Sequence, residues 1–194
     1  MTSPIGKWED AVADLWRNFD SLNQDEGIRA MRELAASCPV SDGRASFELA
    51  SMFDAMDYEA EAAAEYRRAL EHGLDDARHA QLAVQYGSTL RNLGQLDEAI
   101  AVLSAAPTHD STGTAPLIVL ALALPSAGRK DEALRVAIEA QIEFLPQYHR
   151  SMREYAAALT DAAPCDDPTH SLEWHPLYPE RMHSRGQTLL TNNL

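Results

Sequence analysis

Apolar residues recur every three or four positions through most of the chain, which is the spacing of one face of an α-helix. Two such stretches, residues 8–19 and 24–37, occupy the first part of the sequence. Their apolar positions are Trp8, Val12, Leu15, Trp16, Phe19, Ile28, Met31 and Leu34. The pattern predicts an N-terminal helix pair over residues 1–40, which diverges in sequence from the repeated segments that follow it.

Three similar segments follow, at residues 43–76, 80–113 and 114–145, and each predicts two helices joined by a turn. They start at residues 43, 80 and 114, and are therefore 37 and 34 residues apart. Small residues keep the same register in the second helix of each segment: Ala62, Ala99 and Ala133, then Ala69, Ala106 and Ala140. In the first helices, Ala50, Gly87 and Ala121 correspond. Small residues at fixed positions allow helices to approach closely, so the segments are interpreted as stacked repeats near the length of a tetratricopeptide unit.

The run from Phe47 (FELASMFDAMDYEAEAAAEYRRALEHGL, then QLAVQYGSTLRNLGQLDEAI and LPQYHRSMREYAAAL) resembles a bacterial tetratricopeptide repeat domain family over residues 43–159. The resemblance implies an all-α fold, a solenoid of helical hairpins that ends in a capping helix. It also implies that the first helix of each repeat lines a concave groove, and that the groove binds a protein or peptide segment.

The C-terminal part of the sequence changes character. Residues 146–163 predict a capping helix, with Pro146 in its first turn and Arg150, Arg153 and Glu154 on a wetter outer face. Pro125 should shorten or kink the first helix of the third repeat. Residues 164–194 contain four prolines and lose the apolar periodicity, so a largely disordered tail is expected there.

Composition narrows the function. The 194 residues are 45% hydrophobic and carry a formal net charge of −14, which disfavours binding to nucleic acid or to an anionic membrane surface. The start of the chain has no apolar signal-peptide core, and no apolar run reaches the roughly 20 residues of a membrane span. We therefore expect a cytoplasmic protein.

Few residues of the sequence are candidates for catalysis or for binding a metal or a phosphate. Cys38 and Cys165 have no CxxC spacing, and Cys165, His170, His175 and His183 match no common zinc pattern. The acidic pairs Asp97-Glu98 and Asp131-Glu132 lie at predicted helix starts, where carboxylates cap the backbone and complement the helix dipole. No Gly-rich phosphate loop, GxSxG or HExxH motif occurs. The sequence predicts a protein that is not an enzyme and needs no cofactor or metal.

The resemblance also implies which residues face the groove. These are Arg44, Phe47, Ser51, Asp54, Gln81, Val84, Ser88, Arg91, Asn92, Ile118 and Leu122. Arg91 and Asn92 stand out because a guanidinium beside an amide can hold a carboxylate or a peptide backbone. The alternative is that Arg91 is a solvated cation favoured by the helix dipole and that Asn92 belongs to the turn before Gly94.

Three functions fit these observations. The first is a scaffold or adaptor that holds a protein or peptide segment. The second is a homodimer formed through the aromatic residues of the N-terminal pair or through the final helix, with Trp8, Trp16, Phe19 and Tyr155 as anchors. The third is a sensor that binds a small ligand on the concave face.

Overall fold

A computed structural model describes residues 3–161, and all statements about structure below concern that part of the chain. It contains nine α-helices and two short 3-10 helices, and no strand. The α-helices are α1 (Pro4–Arg17), α2 (Gln24–Ala36), α3 (Arg44–Ala55), α4 (Glu59–His72), α5 (Asp76–Asn92), α6 (Leu96–Ser104), α7 (Ala115–Ala123), α8 (Lys130–Ile142) and α9 (His149–Asp161). The predicted all-α fold is confirmed.

Local sequence signals start three of the helices. The Ser3 hydroxyl accepts a hydrogen bond from the Gly6 amide, and Pro4 occupies the first turn of α1. Asn23 and Glu26 form a reciprocal capping box at the start of α2. Asp75 caps α5 by accepting from the Arg78 amide at 2.9 Å. These side chains satisfy amides that have no partner inside the helix.

The first helix is longer at its start than the apolar spacing predicts. It begins at Pro4, because the Ser3 cap lies five residues before Trp8, the first apolar position of the pattern, and it ends at Arg17. Phe19 lies in a 3-10 turn that follows. Trp8 is buried between α1 and α2, where its indole N–H donates to the Leu34 carbonyl at 2.7 Å.

Each helix packs against the helix before it and the helix after it. In addition, α5 contacts α3, and α7 contacts α5, so first helices of successive repeats also touch. Five of the six aligned alanines face inward, since Ala62, Ala69, Ala99 and Ala140 are fully buried and Ala133 is buried as well. The sixth, Ala106, was expected in the second helix of its repeat but lies beyond the end of α6 and is half-buried. Tyr66 and Tyr86 lie with ring centroids 5.7 Å apart where α4 meets α5. Small residues thus let the helices approach, and aromatic side chains fill the space between repeats.

Proline acts at two places near the end of the stack. As expected from Pro125, α7 stops at Ala123 and continues as a 3-10 turn over Leu124–Ala127. The prediction that Pro146 starts the capping helix is wrong, because α9 begins at His149. Tyr148 has a φ of 73°, which turns the chain immediately before the helix, and its carbonyl accepts the bond from Met152.

The expected tail, residues 164–194, lies outside the described residues. Within the described part, no helix is both long enough and apolar enough to cross a bilayer.

Candidate functional site

Two of the groove candidates lie inside the protein. Phe47 is 4% exposed, and its ring packs 6.5 Å from that of Tyr66. Ser51 is 7% exposed; its hydroxyl donates to the Phe47 carbonyl at 2.9 Å and also lies 3.0 Å from the Gln85 amide oxygen. Both positions are covered by the neighbouring repeat, so neither side chain lines an accessible surface.

Arg44 is held by acidic side chains of its own chain. Its guanidinium contacts Asp42 at 2.7 Å and Glu9 of α1 at 2.8 Å, while the other oxygen of Glu9 contacts Arg78 of α5. Hydrogen bonding to Asp42 raises the pKa of Arg44 despite partial burial. Glu9 therefore links α1 to α3 and α5, and the charge on Arg44 is already neutralised.

A buried carboxylate lies next to this cluster. Glu48 of α3 accepts from the Trp16 indole at 3.0 Å and lies 3.5 Å from Nε of Arg78. Burial raises the pKa of Glu48, and the Trp16 and Arg78 contacts oppose that effect. The N-terminal helix pair is thus attached to the repeats through polar as well as apolar contacts.

The remaining candidates on α3 and α5 are partly covered, and one of them, Asp54, contacts a neighbouring helix. Asp54 is half-buried and accepts from the Thr89 hydroxyl at 2.7 Å. Burial raises the pKa of Asp54, and the Thr89 hydrogen bond counteracts it. Gln81, Val84 and Ser88 are half-buried along α5. Asp54 therefore joins two first helices through its bond to Thr89.

Arg91 lies at the end of α5 and reaches α7. Its Nε donates to the Leu122 carbonyl at 3.2 Å, and its Nη1 donates to the Asn92 side-chain oxygen at 3.3 Å. Asn92 is exposed. Arg91 makes no ion pair with a carboxylate of residues 3–161, so its charge is not neutralised by a salt bridge within that range.

Beside this arginine, α7 and α8 form an open apolar cavity of about 500 Å³, which we call the α7–α8 cleft. Its lining residues are Ile118, Ala121, Leu122, Ala133, Leu134, Ala137 and Gln141. Ile118, Leu122 and Leu134 are 45%, 55% and 52% exposed. Four of the sequence candidates, Arg91, Asn92, Ile118 and Leu122, are therefore brought to one end of the stack, and they are accessible there.

Sequence reasoning missed Leu134, Ala137 and Gln141, because the family pattern points to first helices only and these residues belong to α8. One signal was present in the sequence. Leu122 occupies the repeat position held by Ser51 and Ser88 in the earlier repeats. A leucine at a position that is otherwise serine indicates a different surface on the third repeat.

The acidic pairs behave as the helix-dipole interpretation predicts, but not as caps. Asp97 and Glu98 lie in the first turn of α6, and Asp131 and Glu132 lie in that of α8, yet neither helix has a side-chain cap. The Glu98 carboxylate instead accepts from the Tyr86 hydroxyl at 2.7 Å. This hydrogen bond lowers the pKa of Glu98, and burial together with Glu98 raises the pKa of Tyr86 to about 12.

The aromatic residues suggested as dimer anchors differ in exposure. Trp8 is buried, Trp16 and Phe19 are half-buried, and Tyr155 on α9 is exposed. Among residues 3–161, no three His, Cys, Asp or Glu side chains are grouped as metal ligands. Cys165, His170, His175 and His183 lie outside the described residues.

Comparison with known proteins identifies the repeats. The family described as "Tetratrico peptide repeat" matches residues 43–159. No curated protein and no solved structure matches the chain. The matched range covers more than half of the sequence and coincides with helices α3 to α9, and the chain therefore belongs to the tetratricopeptide repeat family.

Proposed function

We propose that this protein is a non-catalytic scaffold that binds a segment of another protein at the C-terminal end of its helical stack. Tetratricopeptide repeats generally mediate protein–protein interaction. The observation that carries the proposal is the position of Arg91, whose charge has no carboxylate partner among residues 3–161 and which touches α7 beside the exposed Ile118 and Leu122.

This juxtaposition favours a particular chemistry in the partner. A guanidinium forms short, directional hydrogen bonds with a carboxylate, and exposed leucine and isoleucine side chains gain free energy when an apolar surface covers them. The bound segment therefore offers an acidic side chain to Arg91 and apolar side chains to Leu122 and Ile118. Asn92 lies beside Arg91 and supplies an amide for the backbone of the segment. A nucleic acid would be repelled by the net charge of −14.

Affinity purification from the cells that produce the protein tests the proposal. We expect the native chain to recover a specific protein, and Arg91→Glu to lower the recovery at least about tenfold, because the new carboxylate repels the acidic group of the partner. Arg29→Glu is the matched control, since Arg29 is an exposed arginine on α2 far along the sequence from the cleft.

Two results would contradict the proposal. Equal recovery by the native chain and Arg91→Glu would remove Arg91 from the contact surface. Recovery of no specific protein by the native chain would remove the scaffold function itself. Light scattering on the same samples tests the homodimer: a mass that stays monomeric at all concentrations excludes it.

A further inference from the structure

The α7–α8 cleft has two counterparts inside the same molecule. In the repeat register, the positions of Ile118, Ala121, Leu122, Ala133, Leu134 and Ala137 are held in the first repeat by Phe47, Ala50, Ser51, Ala62, Ala63 and Tyr66. In the second repeat they are held by Val84, Gly87, Ser88, Ala99, Ile100 and Leu103. The first set is buried throughout, and the second is buried or half-buried.

A helix covers each of these two surfaces. Helix α5 packs on both α3 and α4, and α7 packs on both α5 and α6. Polar contacts accompany the packing: Asp54 of α3 accepts from Thr89 of α5, and Arg91 of α5 donates to the Leu122 carbonyl of α7. Within each of the first two repeats, the surface between the two helices is therefore filled by the first helix of the next repeat.

The third repeat is different. Helix α9 packs along α8 and makes no comparable contact with α7 within residues 3–161. The turn at Tyr148, with its φ of 73°, places the start of α9 after a change in chain direction. Among residues 3–161, no helix occupies the surface that α5 and α7 cover in the earlier repeats, and it forms the α7–α8 cleft, with Leu122 and Leu134 exposed.

We infer that the α7–α8 cleft binds an amphipathic α-helix of a partner protein, which packs on α7 and α8 as the first helix of a fourth repeat would. The inference rests on the proposed function, because it names the shape of the bound segment. The helical shape is inferred from the equivalent surfaces of the first two repeats. Each of them is covered by an α-helix that contacts both helices of the preceding repeat. Its apolar face should carry residues at spacings of three and four, with small residues among them, as on α5.

The third repeat differs from the first two in ways that favour reversible binding of a separate protein. Asp54 and Arg91 hold the same register position in the first two repeats, and each forms a hydrogen bond with the first helix of the next repeat. In the third repeat this position is Pro125, whose side chain has no hydrogen-bonding group. Leu122 replaces a serine, so the six cleft positions compared above are all apolar in the third repeat. Binding there depends on apolar burial, with Arg91 next to Leu122 available to an acidic residue.

Site-directed photocrosslinking tests the inference on the full chain. A photoreactive amino acid is placed at Leu122, at Leu134 and, as control, at Leu70, an apolar position on α4 outside the cleft that is 40% exposed. We expect the two cleft positions to capture at least about ten times more partner than position 70. The crosslinked residues of the partner should lie three, four or seven apart in one segment, as on one helix face.

Three outcomes of this experiment would overturn the inference. Crosslinks at alternating residues would identify an extended strand as the occupant. Crosslinks to a second copy of this chain would identify the cleft as a dimer interface. Yields at Leu122 and Leu134 that do not exceed the yield at Leu70 would leave the cleft without an occupant.

A filled cleft provides a second, independent test. Ala137→Trp puts a large side chain into the cleft at an exposed position, and Ala64→Trp is the matched control on the exposed side of α4. We expect Ala137→Trp to lower partner recovery at least about tenfold and Ala64→Trp to leave it unchanged, with similar thermal unfolding for both. If Arg91→Glu lowers recovery and Ala137→Trp does not, the scaffold function stands and the helix inference fails. If the native chain recovers no specific partner, both fail.

Discussion

The amide of Gly43 donates a hydrogen bond to the carbonyl of Gly73 at 2.7 Å, and it thereby ties the start of α3 to the end of α4. A Cβ atom on Gly43 would lie 2.2 Å from the Ala69 carbonyl oxygen and 2.8 Å from that of Gly73. Gly43 has a φ of −72°, which any residue can adopt. The glycine is required by the close approach of two backbones and not by its own conformation.

We therefore expect Gly43→Ala to lower the free energy of unfolding by about 2–3 kcal/mol, because backbone atoms must move to admit the methyl group. Chemical denaturation monitored by circular dichroism measures this. Gly27→Ala is the control: its nearest neighbours are the Met56 methyl and the Met52 sulfur, which are mobile ends of side chains. We expect the control to change stability by less than about 1 kcal/mol. Equal effects of the two substitutions would show that the Gly43 contact is not tight.

Burial of Glu48 makes the stability depend on pH. Since burial raises the pKa of Glu48 in the folded chain, the folded state binds the proton more tightly than the unfolded state. The free energy of unfolding therefore falls as pH rises from the ordinary range of a glutamate through the raised pKa of Glu48. Glu48→Gln keeps an acceptor for the Trp16 indole and removes the buried charge. We expect this variant to be more stable than the native chain at neutral pH, with a smaller difference in acid.

Thermal unfolding followed from acid to neutral pH checks this expectation. Glu33→Gln, at an exposed position on α2, should change the stability by less than about 0.5 kcal/mol. A Glu48→Gln variant that is less stable than the native chain at neutral pH would mean that the contact with Arg78 outweighs the cost of burying the carboxylate.

Ionisation of the Tyr86 hydroxyl should make the stability of the fold depend on pH in alkaline solution. Burial and the Glu98 hydrogen bond raise the pKa of Tyr86 from 10.0 to about 12, so the folded state favours the neutral phenol. The stability that this provides is complete below pH 10 and is lost as pH rises towards 12. We expect Tyr86→Phe to lose about 1 kcal/mol at neutral pH, because the 2.7 Å bond to Glu98 is removed.

Denaturation of both proteins in alkaline buffers measures the effect. The native chain should lose stability more steeply than Tyr86→Phe above pH 10, so the two curves converge. Parallel curves would contradict the assignment of a raised pKa to Tyr86.

Two leucines near the end of α7 should differ sharply in their contribution to folding. Leu124 is fully buried, whereas Leu122 is exposed in the α7–α8 cleft. We expect Leu124→Ala to cost about 2–5 kcal/mol through a lost core contact and a cavity. Leu122→Ala should change the stability by less than about 0.5 kcal/mol. Denaturant unfolding of the two variants checks this, and a large loss for Leu122→Ala would show that the cleft is part of the core.

The register of the repeats could be predicted without a structure. Alanines at 62, 99 and 133 recur because a buried contact between helices excludes larger side chains. This constraint is visible in the sequence as a small residue at each of the three positions. The same holds for Pro125, whose missing amide ends α7 whatever surrounds it. The candidate site was only partly predictable. Arg91, Ile118 and Leu122 are accessible, but Phe47 and Ser51 hold equivalent positions and are buried, because the next repeat covers them.

By itself, the sequence determined the all-α fold, the register of the repeats and the family, because periodicity and small residues act over a few turns of chain, whereas the starts of α1 and α9 differ from the predicted ones. Only the tertiary structure decided which surfaces are covered. The contacts of Glu9 with Arg44 and Arg78 join residues far apart in the chain, and no local pattern encodes them. The open α7–α8 cleft likewise depends on where α9 lies after the turn at Tyr148, and that position follows from packing between helices and not from periodicity within one.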